Sequence, residues 1–378
     1  METSVSRRKE LTLVTTIFYI GWIGFGNIGD DLMWEVFRDS APLMPDAQSA
    51  KLVPSMPGVD LKAVDSYDVV VLGGGSLLIP GYVDVLYHAM KQGKRVAVWG
   101  SGSDWLDKED LLALMQGSFA TMKYQPSRKY IKMLKELFEN AIFAGVRGPV
   151  TKRLLEHLGI NSGKIEQTGD PGFLLIPDNQ APPDDSGLWE DGERVIGINW
   201  GTSYNRIYGQ QEEVVEDQLA KASRQWIREG YKLYLYTVWG PDMEPMLRLA
   251  KKIGMPDSVR TASRTYPQQV LMRILRRFAF TVNFKLHANV ISAAAEVPFI
   301  ALGYRMKIFD FAESLDLAYY VLATDSQHFV ENIMDRANQA VLNQGDIIRK
   351  FIQHTTAYQE LLRRPFYDGW QKQSGKIR

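Results

Sequence analysis

Unbroken apolar runs, more than alternating ones, set the pattern of this chain, and most end in a small-residue corner that leads into an amphipathic stretch. Runs of this kind read as strands buried on both faces, as in a parallel sheet covered by helices. In the first half the predicted strands are 11–19, 67–72, 95–99 and 141–146, and the segment 168–172 closes a last one. Helical patterns fill 108–119 and 128–140. The stretch 177–194 is rich in Pro, Asp and Gly and reads as a linker. The pattern then restarts, with strands at 195–200, 232–239, 280–284 and 297–304 and helices at 213–229, 243–253, 266–277 and 288–295. The tail 327–373 reads as helical, its last turns crossing back to the first half. The expected fold is α/β, two Rossmann-like domains facing a cleft. Its predicted parts are an N-terminal domain 1–180, a linker 181–194, a C-terminal domain 195–345 and a helical tail 346–378.

Length supports that division, because 378 residues exceed one ordinary core. Charge narrows the partners. Lys plus Arg equals Asp plus Glu at 44 each, so no global field favours nucleic acid, and any basic site is local. The absence of cysteine excludes disulfides and thiolate metal sites and suits a reducing compartment. The N-terminal apolar run 11–23 is too short to span a bilayer, lacks an A-x-A cleavage site, and is read as the first strand.

Candidate chemistry lies at the strand ends, where parallel α/β sheets bind their ligands. Around the unit 280–307, Lys285 and His287 follow one strand, and Tyr304, Arg305 and Lys307 follow the next. Arg147 sits at a strand-to-helix corner just before Pro149, placed to clamp a carboxylate or phosphate with two hydrogen bonds. Together these cations suit a small polyanion such as a phosphorylated acid. His287 is the candidate general acid, since imidazole titrates near neutrality. His88, His157, His328 and His354 show no metal-ligand spacing, and no G-x-S-x-G elbow is present.

Glycine-rich corners supply a second set of candidates. The loop containing Gly26, Asn27, Gly29 and Asp30 precedes a helical pattern, with Asp30 and Asp31 also readable as N-cap and first-turn residues. An aspartate pair would repel a phosphate, so this loop is expected to meet a sugar hydroxyl or to pack closely at a domain interface. Gly73, Gly74 and Gly75 before Ser76 demand close approach by a ligand or by packing. Asp170 stands in the corner Thr168-Gly169-Asp170-Pro171-Gly172. Trp22, Trp34, Trp105 and Trp200 lie near loops and are candidate sugar-stacking platforms.

Five stretches, in order, resemble the polysaccharide pyruvyl transferase family: GFGNIGDDLMWE, VVVLGGGSLL, GVRGPVTKRLLEHLG, TGDPGFLL and KLHANVISAAAEVPFIALGYRMKI. The resemblance implies a GT-B-like fold and transfer of a pyruvyl group from phosphoenolpyruvate to two hydroxyls of a sugar, forming a cyclic ketal. By position, Arg147, His287 and Lys307 match the family's donor-binding and catalytic basic residues. Lys285 and Arg305 join them on the donor side, and Asp30 or Asp170 is the candidate for orienting or deprotonating an acceptor hydroxyl. The family's R-x-H reads Lys285-Leu286-His287 here, which keeps the charge and loses the planar fork. Its N-x-G-D-E reads Asn27-Ile28-Gly29-Asp30-Asp31, and its Ser-x-Arg reads GINWGTS. Phosphoenolpyruvate is a substrate, and no cofactor or metal is expected. A lipid-linked acceptor would bring a cytoplasmic enzyme to the inner face of a membrane. Two competing readings share the fold: a glycosyltransferase using a nucleotide-sugar, and a non-catalytic glycan-binding protein.

Overall fold

A computed structural model describes residues 15–45, 47–177, 187–189 and 192–371. The start of the first predicted strand (11–14) and most of the predicted linker 181–194 lie outside the described residues. Two six-stranded sheets form, each with every neighbouring pair parallel. The first contains β1 (Thr15–Ile20), β2 (Ala50–Pro54), β3 (Val69–Leu72), β4 (Arg95–Ser101), β5 (Phe143–Val146) and β6 (Glu166–Gln167), ordered β2-β1-β3-β4-β5-β6. The second contains β7 (Val195–Asn199), β8 (Lys232–Tyr236), β9 (Val259–Thr261), β10 (Phe278–Asn283), β11 (Phe299–Gly303) and β12 (Val321–Ala323), ordered β12-β11-β10-β7-β8-β9.

Every residue of β3, β7 and β11 is buried, which is what helices on both faces of a parallel sheet require. Strands β2, β9 and β12 were not foreseen. All three are edge strands; β2 and β9 are partly exposed and carry charged residues, and β12 is only three residues long. Chain order reverses between β1 and β3 in the first sheet and between β7 and β10 in the second. Such switch points open a crevice at the carboxyl ends of the strands, and here the two crevices face each other.

An apolar cluster crosses the domain boundary, joining Ile17, Tyr19 and Trp99 of the first domain with Tyr234, Tyr236 and Ile291 of the second. On one side of the cleft Ile28 N donates to Val238 O at 3.1 Å, and Asn27 bridges to Trp239. The tail does cross back. Helix Gln344–Tyr367 returns to the first domain, where Trp99 Nε1 donates to Leu362 O at 2.9 Å and Arg95 Nη1 to Trp370 O at 3.1 Å. Phe366 and Trp370 pack on Phe37 at centroid distances of 5.0 and 5.4 Å. Burying each such ring is worth about 1.5–3 kcal/mol relative to exposure, so the strap helps hold the domains together.

Candidate active site

A cavity of about 340 Å³ lies between the carboxyl ends of the two sheets. The first domain lines it with the loops after β1 (Trp22, Asn27, Asp30), β3 (Gly75, Ser76, Tyr82), β4 (Asp104, Trp105) and β5 (Arg147). From the second domain come the loops after β8 (Trp239), β10 (Lys285, His287) and β11 (Tyr304, Arg305, Lys307). Because β1 faces β8 while β4 and β5 face β11, the cavity has two chemically different ends.

The β5–β11 end is cationic. Arg147 is fully buried, and Nη2 donates to Ser103 O at 3.1 Å while Nη1 reaches Ser76 Oγ at 3.4 Å. Its bed exists because residue 102 is glycine: a Cβ there would stand 2.5 Å from Nη2. Across the domain boundary, Asp310 Oδ2 lies 3.5 Å from Arg147 Nε. The same carboxylate caps the helix Pro149–His157, accepting from Val150 N at 2.9 Å and Thr151 N at 3.0 Å, and from Thr151 Oγ1 at 2.6 Å. Asp104 mirrors this from the other domain. It pairs with Arg305, accepts from Lys307 N at 3.2 Å and lies 3.7 Å from Lys307 Nζ. Burial, reinforced by Arg305 and Arg147, holds Lys307 down at about 8.

His287 occupies the middle, in the first turn of helix Leu286–Ala294. Its ring presses on the opposite domain at Gly29, where a Cβ would sit 1.8 Å from Nδ1. Nε2 is buried and has no hydrogen-bond partner among the described residues. Burial first, then Lys307 and Arg147, lowers the imidazole to about 3, so in the empty cleft it is neutral. The protonated histidine expected from sequence is therefore not the resting state. Asp30 goes the other way: burial pushes it up to about 7, opposed by Lys307 and assisted by Asp31 and Asp170. At neutral pH the carboxyl is shared between its acid and base forms.

Of the predicted residues, the cavity gathers Asn27, Asp30, Gly75, Ser76, Arg147, Lys285, His287, Arg305 and Lys307. Lys285 reaches the wall, but its ammonium donates to Thr202 O at 2.6 Å and lies 3.2 Å from Asp242 Oδ1, so its charge is already matched. Gly26, Gly29, Gly74 and Asp170 are not on the wall. Gly29 is the domain-interface packing that its loop left open. Gly74 yields to Met33 and Pro171, with Met33 Sδ 2.7 Å from where a Cβ would be. Asp170 is buried behind Arg147 and caps Gly172 N at 2.9 Å. The cap of helix Ile28–Asp39 is Asn27, whose Oδ1 accepts from Gly29 N at 3.1 Å; Asp31 instead ties down Gly24 N at 2.8 Å. Trp200 is core, donating to Glu216 at 2.8 Å, and Trp34 packs on Tyr19 at 5.4 Å. Trp22 and Trp105 are exposed on the cavity. Sequence reasoning missed Asp104, Asp310 and Trp239.

The family model for polysaccharide pyruvyl transferase matches residues 24–305, most of the chain and all of the cavity-lining loops except Trp22 and Lys307. The chain belongs to this family. Comparison with curated protein sequences finds no match. Among solved structures, an MnaA–UDP complex from S. aureus is similar, with a TM-score of 0.60 and 11% identity over 96% of this chain and 99% of that one. UDP-GlcNAc 2-epimerase from Neisseria meningitidis bound to UDP-GlcNAc gives 0.56 and 11% identity, covering 93% of this chain and all (100%) of that one. UGT73P12 from Glycyrrhiza uralensis, with a glycyrrhetinic acid monoglucuronide, gives 0.54 and 10% identity over 94% and 96%. At such identities the likeness concerns the fold, a GT-B-like pair of α/β domains. Among the described residues no helix is long and apolar enough to cross a membrane.

Proposed function

We propose that this pyruvyl transferase takes its pyruvyl group from phosphoenolpyruvate and joins it to two hydroxyls of one sugar, releasing phosphate and leaving a cyclic ketal. One observation carries the reading: Arg147, Arg305 and Lys307 converge from two domains beside an imidazole whose Nε2 has no hydrogen-bond partner among the described residues and a carboxyl poised near neutrality. Phosphoenolpyruvate presents a carboxylate for the arginine fork and a phosphate for the lysine.

Donor binding would also charge the histidine. An anion about 4 Å from the ring is worth about 4 kcal/mol at an effective dielectric near 20, enough to lift it from about 3 toward its ordinary range. The imidazolium then gives its proton to the methylene carbon, making the methyl group and leaving C2 electrophilic. A sugar hydroxyl adds to C2 and passes its proton to Asp30. Phosphate leaves C2, the second hydroxyl closes the ring, and the two hydroxyl protons balance those taken by the methyl group and the phosphate.

Calorimetry and thermal shift with phosphoenolpyruvate test this on wild type, Arg147→Ala and Lys307→Met. The expected result is stabilisation that either substitution abolishes; no effect of millimolar donor, with or without sugars, rejects the donor. His287→Gln should keep donor binding and lose about 10²–10⁴ in turnover. A nucleotide-sugar reading needs a carboxylate at the strand ends of the second domain to hold a ribose. Asp242 stands there, but it is fully buried and matched by Lys285. Stabilisation by nucleotide-sugars without phosphoenolpyruvate would favour that alternative.

A further inference from the structure

Two helices begin beside the donor cations, and each is capped by the opposite domain. Gly148 precedes the helix Pro149–His157, Arg305 precedes the helix Met306–Ser314, and neither supplies a side-chain cap. Asp310 of the second domain caps the first of them. Asp104 of the first domain caps the other, its Oδ1 accepting from Lys307 N at 3.2 Å. A carboxylate is well placed there, at the positive end of the helix dipole. Asp104 lies in the loop between β4 and the helix Lys108–Gln116 and is fully buried. Its Oδ2 faces two cations, pairing with Arg305 and lying 3.7 Å from Lys307 Nζ. Arg305 is held a second time, over the Trp105 ring at 4.3 Å. The Lys307 ammonium is different. Its main chain is anchored by Asp104, while its charged end lies beyond hydrogen-bond reach of the carboxylate and lines the cavity.

We infer that Asp104 is a positioning residue for donor binding, which aims the Lys307 ammonium at the anion from the opposite domain and keeps it charged. The inference rests on the proposed use of phosphoenolpyruvate. Several groups face Lys307. Burial first, then Arg305 and Arg147, press it toward neutrality, while Asp104 and Asp30 hold its proton on, and it settles at about 8. His287 is neutral in the empty cleft and adds no charge, and the Tyr304 ring lies 5.2 Å from the ammonium. A lysine binds phosphate as a point charge only while it is protonated. Without Asp104, Arg305 would stand unopposed beside it. The first domain thus supplies the carboxylate that makes an anion site in the second, and the site is whole only when the two are docked.

Two measurements test this. Competitive labelling with acetic anhydride from about pH 6.5 to 10.5, read by mass spectrometry, follows the titration of Lys307 without any donor. Calorimetry with phosphoenolpyruvate above about pH 7.5 follows binding past the ionisation of the phosphate, about 6, and of Asp30, about 7. In wild type both should show a break at about 8. Asp104→Asn keeps an acceptor for Lys307 N, yet its labelling midpoint should fall by about one pH unit or more. Its donor affinity should then change little above pH 7.5, the loss lying at lower pH. Adding Lys307→Arg should restore binding that holds up to pH 9.5, because a guanidinium stays charged. Asp310→Asn removes the equivalent carboxylate from Arg147 and should move the Lys307 midpoint less than half as far. Arg305→Gln leaves Asp104 to Lys307 alone and should raise the midpoint, a result that stands even if Asp104→Asn does not fold. An unchanged midpoint in Asp104→Asn, equal shifts in Asp104→Asn and Asp310→Asn, or no rise in Arg305→Gln overturns the inference. If phosphoenolpyruvate does not bind while the labelling shifts hold, the donor assignment falls and Asp104 still positions Lys307.

Discussion

The two ends of the cleft are joined across the domains by different forces. At the β5–β11 end the joints are buried charges: Asp310 of the second domain on Arg147 of the first, and Asp104 of the first on Arg305 and Lys307 of the second. At the β1–β8 end they are a backbone hydrogen bond and a one-residue bridge, with the His287 ring laid on Gly29 between the two ends. Charge pairs in a dry interface tolerate little displacement, so the cationic end is preorganised before any donor arrives. At the other end the backbone is joined, and the rings above it pack on one another and under Lys285. The buried charge pairs thus gather at the β5–β11 end, while backbone contacts join the β1–β8 end.

Removing Asp310 should break the comparison most severely. Asp310→Ala uncovers a fully buried arginine and uncaps the helix Pro149–His157 in one step. Loss of one partner of a buried pair costs about 3–5 kcal/mol, measurable by urea unfolding. Asp310→Asn retains acceptors for the helix amides and should lose less. Equal losses in the two variants would mean that the charge, not the cap, is the essential contact.

Gly29→Ala acts where the second end touches the catalytic centre. With a Cβ 1.8 Å from Nδ1, the ring or the domain has to move, at about 1–3 kcal/mol of overpacking. Turnover should fall to the level of His287→Gln. Gly26→Ala is the contrast, since nothing lies within 4 Å of its Cβ; only the backbone cost of φ +68° applies. If the two variants lose activity equally, the contact with His287 is not what residue 29 is for.

Much of this was legible from sequence, and the reason is the same for fold and site. Central strands such as Val69–Leu72 are buried on both faces and so are written as apolar runs, whereas the edge strands β2 and β9 are half-exposed and are not. Arg147, His287 and Lys307 stand where a strand ends, and a cation at that position is visible in one dimension. Their carboxylate partners are not. Asp310 lies inside a helix and meets Val150 from 160 residues away, and Asp104 meets Lys307 across 203. Nothing local marks either residue as a partner. The glycines illustrate the same limit: the need for close approach at Gly29 and Gly74 was readable, but the approaching group was not.

Asp30 links the two ends and gives a pH signature. Its folded pKa, about 7, lies above the reference value of 3.8, so the unfolded chain releases this proton first. The contribution of Asp30 to stability is complete below about pH 4 and is lost as pH rises through 7. Asp30→Asn should therefore raise the melting temperature of the empty enzyme above pH 7 while abolishing turnover. A variant less stable than wild type at pH 8 would show that the carboxylate is favourably held when ionised. In wild type, kcat/KM should rise with pH through about 7 as the acceptor base ionises.

The smallest expected signal separates the charged end from the neutral one. Burial keeps His287 unprotonated at about 3, with Lys307 and Arg147 adding to the effect. A bound phosphoenolpyruvate offsets both cations and adds its own negative charge, so the imidazole should take up part of a proton as the donor binds. Calorimetry at pH 6.5 in buffers of different ionisation enthalpy reads that fraction directly. Lys307, held down at about 8, adds little, being already mostly charged at this pH. His287→Gln should bind the donor with the buffer dependence reduced, whereas Trp22→Ala, altered only at the far mouth, should keep it. Proton uptake that persists in His287→Gln would point to Asp30 as its source, and would make the carboxyl, not the imidazole, the acid of the reaction.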